Sequence, residues 1–224
     1  MTKCLIVGVA VAAAALTPLA AAPQAPATEA LKLSLPKPMF IGTPTNLKSP
    51  NLEVITGKPR GPFMVPVGTT LLSAKRSVTS SDRQPVIGEL DMITDGEKDG
   101  GDGYFVELGP GTQWVQIDLG ASHAVHAILA WHYHTQARVY RDVIVRLSDD
   151  SDFLRGVTTV FNNDHDNSSG MGIGRQKEYI DVAEGRLFDP GGAKGRYVRL
   201  YSNGNTSNDL NHYVEVEVFG APAK

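Results

Sequence analysis

The chain has 224 residues, 42% hydrophobic and 20% charged, which suits one folded domain with extra segments and excludes wholesale disorder. Its 21 Lys and Arg against 24 Asp and Glu leave a net charge of −3, which excludes nucleic acid as a partner because neutralising phosphates takes clustered cations. The single cysteine, Cys4, falls in the leader described next, so the mature chain is expected to have no disulfide, thiolate nucleophile or cysteine metal ligand.

Met1, Thr2 and Lys3 precede an apolar run from Cys4 to Leu16, then Pro18 and an Ala-rich stretch. This pattern predicts a secretory signal peptide over residues 1–22, with cleavage as late as residue 27. Its apolar part is shorter than the roughly 20 residues of a membrane-spanning helix, and nothing after it offers a second candidate, so no transmembrane segment is expected. Residues 23–68 follow, with nine of the 14 prolines between Pro23 and Pro66. That spacing predicts an extended proline-rich arm or linker. Met39-Phe40-Ile41 and Pro62-Phe63-Met64-Val65 carry enough apolar surface for its later half to dock on the domain.

Residues 69–221 change character, with short runs of period-two alternation rich in Val, Ile, Tyr and Trp between Gly, Asn and Asp clusters. This is an all-β pattern. Val115, Ile117 and Leu119 line one face of Trp114–Leu119, and Val214, Val216 and Val218 one face of Tyr213–Phe219. Further strands are expected at Ala124–His134, Asp142–Leu147, Thr158–Phe161, Lys177–Asp181 and Arg196–Tyr201, each with one polar face, as in an antiparallel sandwich.

Between the strands, Asn162–Gly170 and Asn203–His212 are too polar for sheet and predict long loops. Asn203, Asn205, Asn208, Asp164, His165 and Asp166 either stabilise their own turns or present amide and carboxylate groups to sugar hydroxyls, with Tyr104, Phe105, Tyr133, Tyr140 or Tyr201 as a stacking platform or as core. Trp131-His132-Tyr133-His134, read as strand, puts His132 and His134 on one face. They either bond carbonyls or converge on zinc or iron with Asp164, His165, Asp166 or His212. The glycines of Gly170–Gly174 lack a dinucleotide-binding spacing, and Glu89 and Asp91 read as surface charges.

Five segments arrive in the order used by discoidin domains, also called coagulation factor 5/8 type C domains. Ser77–Ser81 resembles the opening strand, Ile93-Thr94-Asp95-Gly96 the Asp-Gly turn, Trp114–Gly120 the tryptophan strand, and Arg196–Leu200 and Val214–Gly220 the closing strands. The resemblance implies a jelly-roll antiparallel β-sandwich of the galactose-binding-like superfamily. It also implies a structural calcium ion held by the Asp95 and Glu215 side chains with the carbonyls of Met92, Glu97 and Val214. Where the family often has Thr or Ser, this chain has Gly100, flanked by Asp99 and Asp102.

The expected function is a secreted, periplasmic or extracellular binding module without catalysis, recognising carbohydrate or a glycosylated surface through His132, His134, His165, His212 and the Asn-rich loops. Two other readings are a structural or interaction subunit whose arm grips a protein partner, and a metal-dependent enzyme built on His132 and His134.

Overall fold

The computed structural model describes Met1 and residues 27–39, 47, 49–101 and 103–222. The predicted leader after Met1, together with Phe40, Ile41 and Asp102, lies outside the described residues.

Two short strands, β1 (Thr28–Ala30) and β2 (Met64–Pro66), pair within the arm. Then come β3 (Thr70–Leu71), β4 (Val78–Ser80), a 3-10 turn at Leu90–Thr94, β5 (Val106–Leu108), β6 (Gln113–Trp131) and β7 (Ile144–Ser148). The chain closes with β8 (Thr158–Asn162), β9 (Arg186–Phe188), β10 (Lys194–Ser202), β11 (Asn211–Tyr213) and β12 (Glu215–Pro222). All these strands pair antiparallel. No helix among the described residues is long and apolar enough to cross a membrane.

The two strands predicted either side of Gly120 are one, β6, 19 residues long. Gly120 sits at φ 84 with its N–H on Asp118 Oδ1, a kink that turns the strand without ending its pairing. Before the kink β6 pairs with β4 and β10, and β10 continues through β7 to β8. After it, β6 pairs with β12 and β9, and β12 with β3. The two halves form two layers. Val115, Ile117, Leu119, Val145, Leu147, Val198 and Leu200 from one meet Ile128, Ala130, Phe188, Val216 and Val218 from the other in a single core. The alternating pattern was therefore read with the right inward face for the first half of β6 and for β12. Val214 is the exception: the chain turns between β11 and β12, and Val214 packs with Phe219 on the outer face.

That outer face is the main departure from one buried and one polar side. Ala127, Leu129 and Trp131 alternate with the core residues of β6 yet are fully buried, because Leu31, Leu33 and Phe63 of the arm pack over them. A strand covered on both faces reads as continuously apolar. Docking involves the arm's early part as well as its later half: Leu31 N–H bonds Phe63 O, Lys98 reaches Ser34 O, and Arg60 donates to the carbonyls of Glu184 and Gly185. Lys177–Asp181, expected as a strand, makes only isolated bridges, Glu178 with Leu52 of the arm and Ile180 with Val139.

Candidate functional site

Three connections converge: 132–143 after β6, 163–176 after β8, and 203–210 between β10 and β11. Arg141 and Gly204 are bonded backbone to backbone, as are Asn203 and Arg141, and Thr206 and Val139. Asn163 Oδ1 takes the Val143 N–H at 2.6 Å. The two Asn-rich loops meet on one carboxylate, where Asn203 Nδ2 and Ser168 Oγ each donate to Asp142 Oδ2 at 2.8 Å. Asp142, at φ 51, holds a left-handed conformation that Asp tolerates. With Asp164 and Asp166 it brings three carboxylate oxygens within 4.8 Å of one another.

Much of the polar character predicted for binding turns inward. Asn205 is 1% exposed; its Nδ2 donates to Asn208 Oδ1 and Leu210 O and its Oδ1 accepts from Ser207 and Asn208. Asn205 and Asn208 therefore build their own turn, an outcome typical of short amides. Asp164 is buried and caps the N–H groups of Ser168 and Ser169. Asp166 is exposed, while His165 and Asn203 are half-buried. Of the aromatic candidates, Phe105, Tyr140 and Tyr201 are buried, leaving Tyr104 exposed and Tyr133 half-buried.

His132 and His134 do not converge. β6 ends at Trp131, so strand alternation no longer governs them. Both are fully buried, His132 with Nδ1 3.2 Å from Asp181 Oδ1 and His134 with Nε2 2.7 Å from Lys98 O. His132 stacks on Tyr140 at 4.4 Å, as a core imidazole does. His212, 2% exposed, bonds Glu107 Oε2 through Nε2 at 2.9 Å. Burial, then the charge of Arg138 and the neighbouring His132, lower its pKa to about 3, so it stays neutral; burial raises the Glu107 carboxyl.

Arg138 is the member of this cluster that loop composition did not signal. It is 9% exposed, lies 4.5 Å from the centroid of the Tyr133 ring, and bonds Gln136 Oε1 through Nη2 at 3.2 Å. Its Nε and Nη1 have no acceptor at hydrogen-bond geometry, although its charge acts on the Tyr140 hydroxyl and the Glu107 carboxyl.

The Asp-Gly turn and Glu215, two parts of the predicted calcium set, are neighbours. Gly96 N–H donates to Glu215 Oε2 at 3.1 Å, tying the turn to β12. Glu215 is 1% exposed, and burial, reinforced by Glu217 and Asp95, raises its pKa to about 8. A carboxylate so poor in donors and so close to others fits a hard cation. Asp95 also accepts the Glu97 N–H, and the Glu97 side chain turns back onto the N–H groups of Lys98 and Asp99. A Cβ at Gly100 would meet Val214 Cγ2 at 3.1 Å, tighter than ordinary contact, and Gly100 holds a left-handed φ of 60; Asp99 is exposed.

A cavity of about 600 Å³ lies apart from these loops, between arm residues 53–60 and residues 179–187, walled largely by Val54, Ile55, Val182 and Leu187.

No protein-family model and no curated protein matches the chain. Among solved structures, a family 89 glycoside hydrolase from Clostridium perfringens matches with TM-score 0.50 and 15% identity, over 68% of this chain and 15% of that one. A family 32 carbohydrate-binding module in complex with 4,5-unsaturated mannuronic acid matches with TM-score 0.48 and 21% identity, over 65% and 95%. A fucose-binding module from Streptococcus pneumoniae gives 0.47 and 16%, over 66% and 96%. The likeness to the glycoside hydrolase segment shows the fold, an antiparallel β-sandwich.

Proposed function

We propose that the protein is an exported, non-catalytic carbohydrate-binding module whose ligand lies over the connections joined at Asp142. The observation that carries this is the bonding of three polar loops into one surface that keeps Tyr133, Asn203 and Asp166 at or near solvent. Ring faces beside amide and carboxylate groups suit the apolar and hydroxyl faces of a sugar. The shared fold with a segment of a glycoside hydrolase agrees with this reading. The leader-like N-terminus supports export.

A structural calcium belongs to the same proposal. The Asp95 and Glu215 side chains would hold it with the carbonyls of Met92, Glu97 and Val214. The ion supplies the positive charge that lets buried Glu215 ionise, and Gly96 keeps the turn against β12 while it does so.

Binding to an array of immobilised glycans tests the function. Wild-type protein is expected to bind a defined subset, and Tyr133→Ala to weaken that binding by about tenfold, roughly 1.4 kcal/mol. A blank array with folded protein overturns the proposal.

A further inference from the structure

We infer that the guanidinium of Arg138 recognises a single acidic group, a carboxylate or sulfate, borne on the bound glycan. This rests on the carbohydrate-binding reading and names the class of sugar.

Arg138 carries its charge at any pH the protein meets. Its side chain is nine-tenths buried, yet among the described residues no carboxylate comes within the 4.0 Å of an ion pair with it. Glu107 bonds neutral His212 at 2.9 Å and acts on Arg138 only through its field, beyond ion-pair distance, and Asp181 lies 3.2 Å from His132. His212 adds no negative charge, and neither does the Tyr133 ring. A buried charge without a counter-ion is among the costlier things a fold can contain, and a buried donor without an acceptor adds to that cost. Nε and Nη1 are such donors.

The opening toward solvent is narrow and already carries an oxygen. Nη2 donates to Oε1 of Gln136, which is exposed. That oxygen stands where an acidic ligand's oxygen would stand, but as a neutral acceptor it leaves the guanidinium without an ion pair. When Gln136 swings aside, one oxyanion meets Nη2, and the Tyr133 face beside it takes the ring that bears the anion. A neutral hydroxyl satisfies the N–H without satisfying the charge, so the site discriminates by charge.

Calorimetric titration with a uronic acid disaccharide, its carboxyl-reduced neutral counterpart and a sulfated disaccharide tests this on the full chain. At least one acidic sugar should bind about tenfold or more tighter than the neutral one, with the preference shrinking as salt rises; which acid wins names the group. Arg138→Met and Gln136→Glu should each abolish the preference. Melting temperature should hold or rise in both, since an unpaired buried charge is removed or neutralised in place. If Arg138→Met does not fold, Gln136→Glu decides. Equal binding of acidic and neutral sugars by wild type overturns this inference and leaves the proposed function standing. A preference that survives either folded variant also overturns it. Binding to none of the three, with a blank glycan array, overturns both.

Discussion

Glu215 and Arg138 are both ionisable, both buried at 1% and 9% exposure, and both short of partners, but they resolve the strain differently. Glu215 accepts one N–H, from Gly96, in the field of Glu217 and Asp95. With its pKa raised to about 8, it can keep its proton near neutral pH or exchange it for a cation. Arg138 has no uncharged form to retreat to. A buried acid thus marks a place where a proton and a metal compete, whereas a buried guanidinium marks a place for an anion.

The sharpest way to break the comparison is to unbalance the acidic side. Lys98 pairs with Glu217 at 2.6 Å, with side chains 9% and 7% exposed. Lys98→Met leaves Glu217 buried beside Glu215, and chemical denaturation should show a loss of about 3–5 kcal/mol. A loss under about 1 kcal/mol would mean that Glu217 finds water and the pair behaves as a surface one.

Calcium should produce the next largest effect. At a free concentration of about a hundred times Kd, an ion bound only by the folded state adds about 2.7 kcal/mol. The melt should rise with Ca²⁺, fall with chelator, and stop responding in Glu215→Gln. An unchanged melt removes the calcium proposal and leaves Glu215 as an acid that keeps its proton.

The smallest effect at neutral pH is expected beside Arg138. His212 faces Glu107 on β5 and Arg138 and His132 on the connection after β6. Its folded pKa of about 3 lies below the ordinary 6.5, so the unfolded chain takes up a proton that the folded one refuses. Its contribution to stability is complete above pH 6.5 and is lost progressively as pH falls toward 3. Subtracting the same titration of His212→Phe isolates this slope. A flat difference between pH 6.5 and 4 would show that Glu107 binds a protonated His212 instead.

Legibility followed the reach of each signal. Alternation found β6, β10 and β12, with the inward residues of β6 before its kink and of β12, because a strand's neighbours in sequence decide which side faces the core. The kink at Gly120 that joins two predicted strands into one was invisible, since pairing with β10 and β12 on either side of it is a long-range event. The Asn-rich loops were located from composition, but composition did not distinguish Asn205, consumed by its own turn, from Asn203, which reaches across to Asp142. His132 and His134 misled for a related reason. One and three residues past the end of β6 at Trp131, period two no longer says where their side chains go.

Local chemistry in the sequence determined the sheet-forming runs, the inward faces of the main strands, the turn at Asp95 and Gly96, and the absence of clustered cations for nucleic acid. Those depend on residues a few positions apart, where backbone geometry is periodic. Tertiary structure alone decided that the arm covers Leu129 and Trp131, that Glu215 is sealed against water, and that Arg138 is left without an ion pair. Burial and charge balance depend on what distant segments bring near, and electrostatic energy scales with the local dielectric and the distance between groups rather than with their separation along the chain.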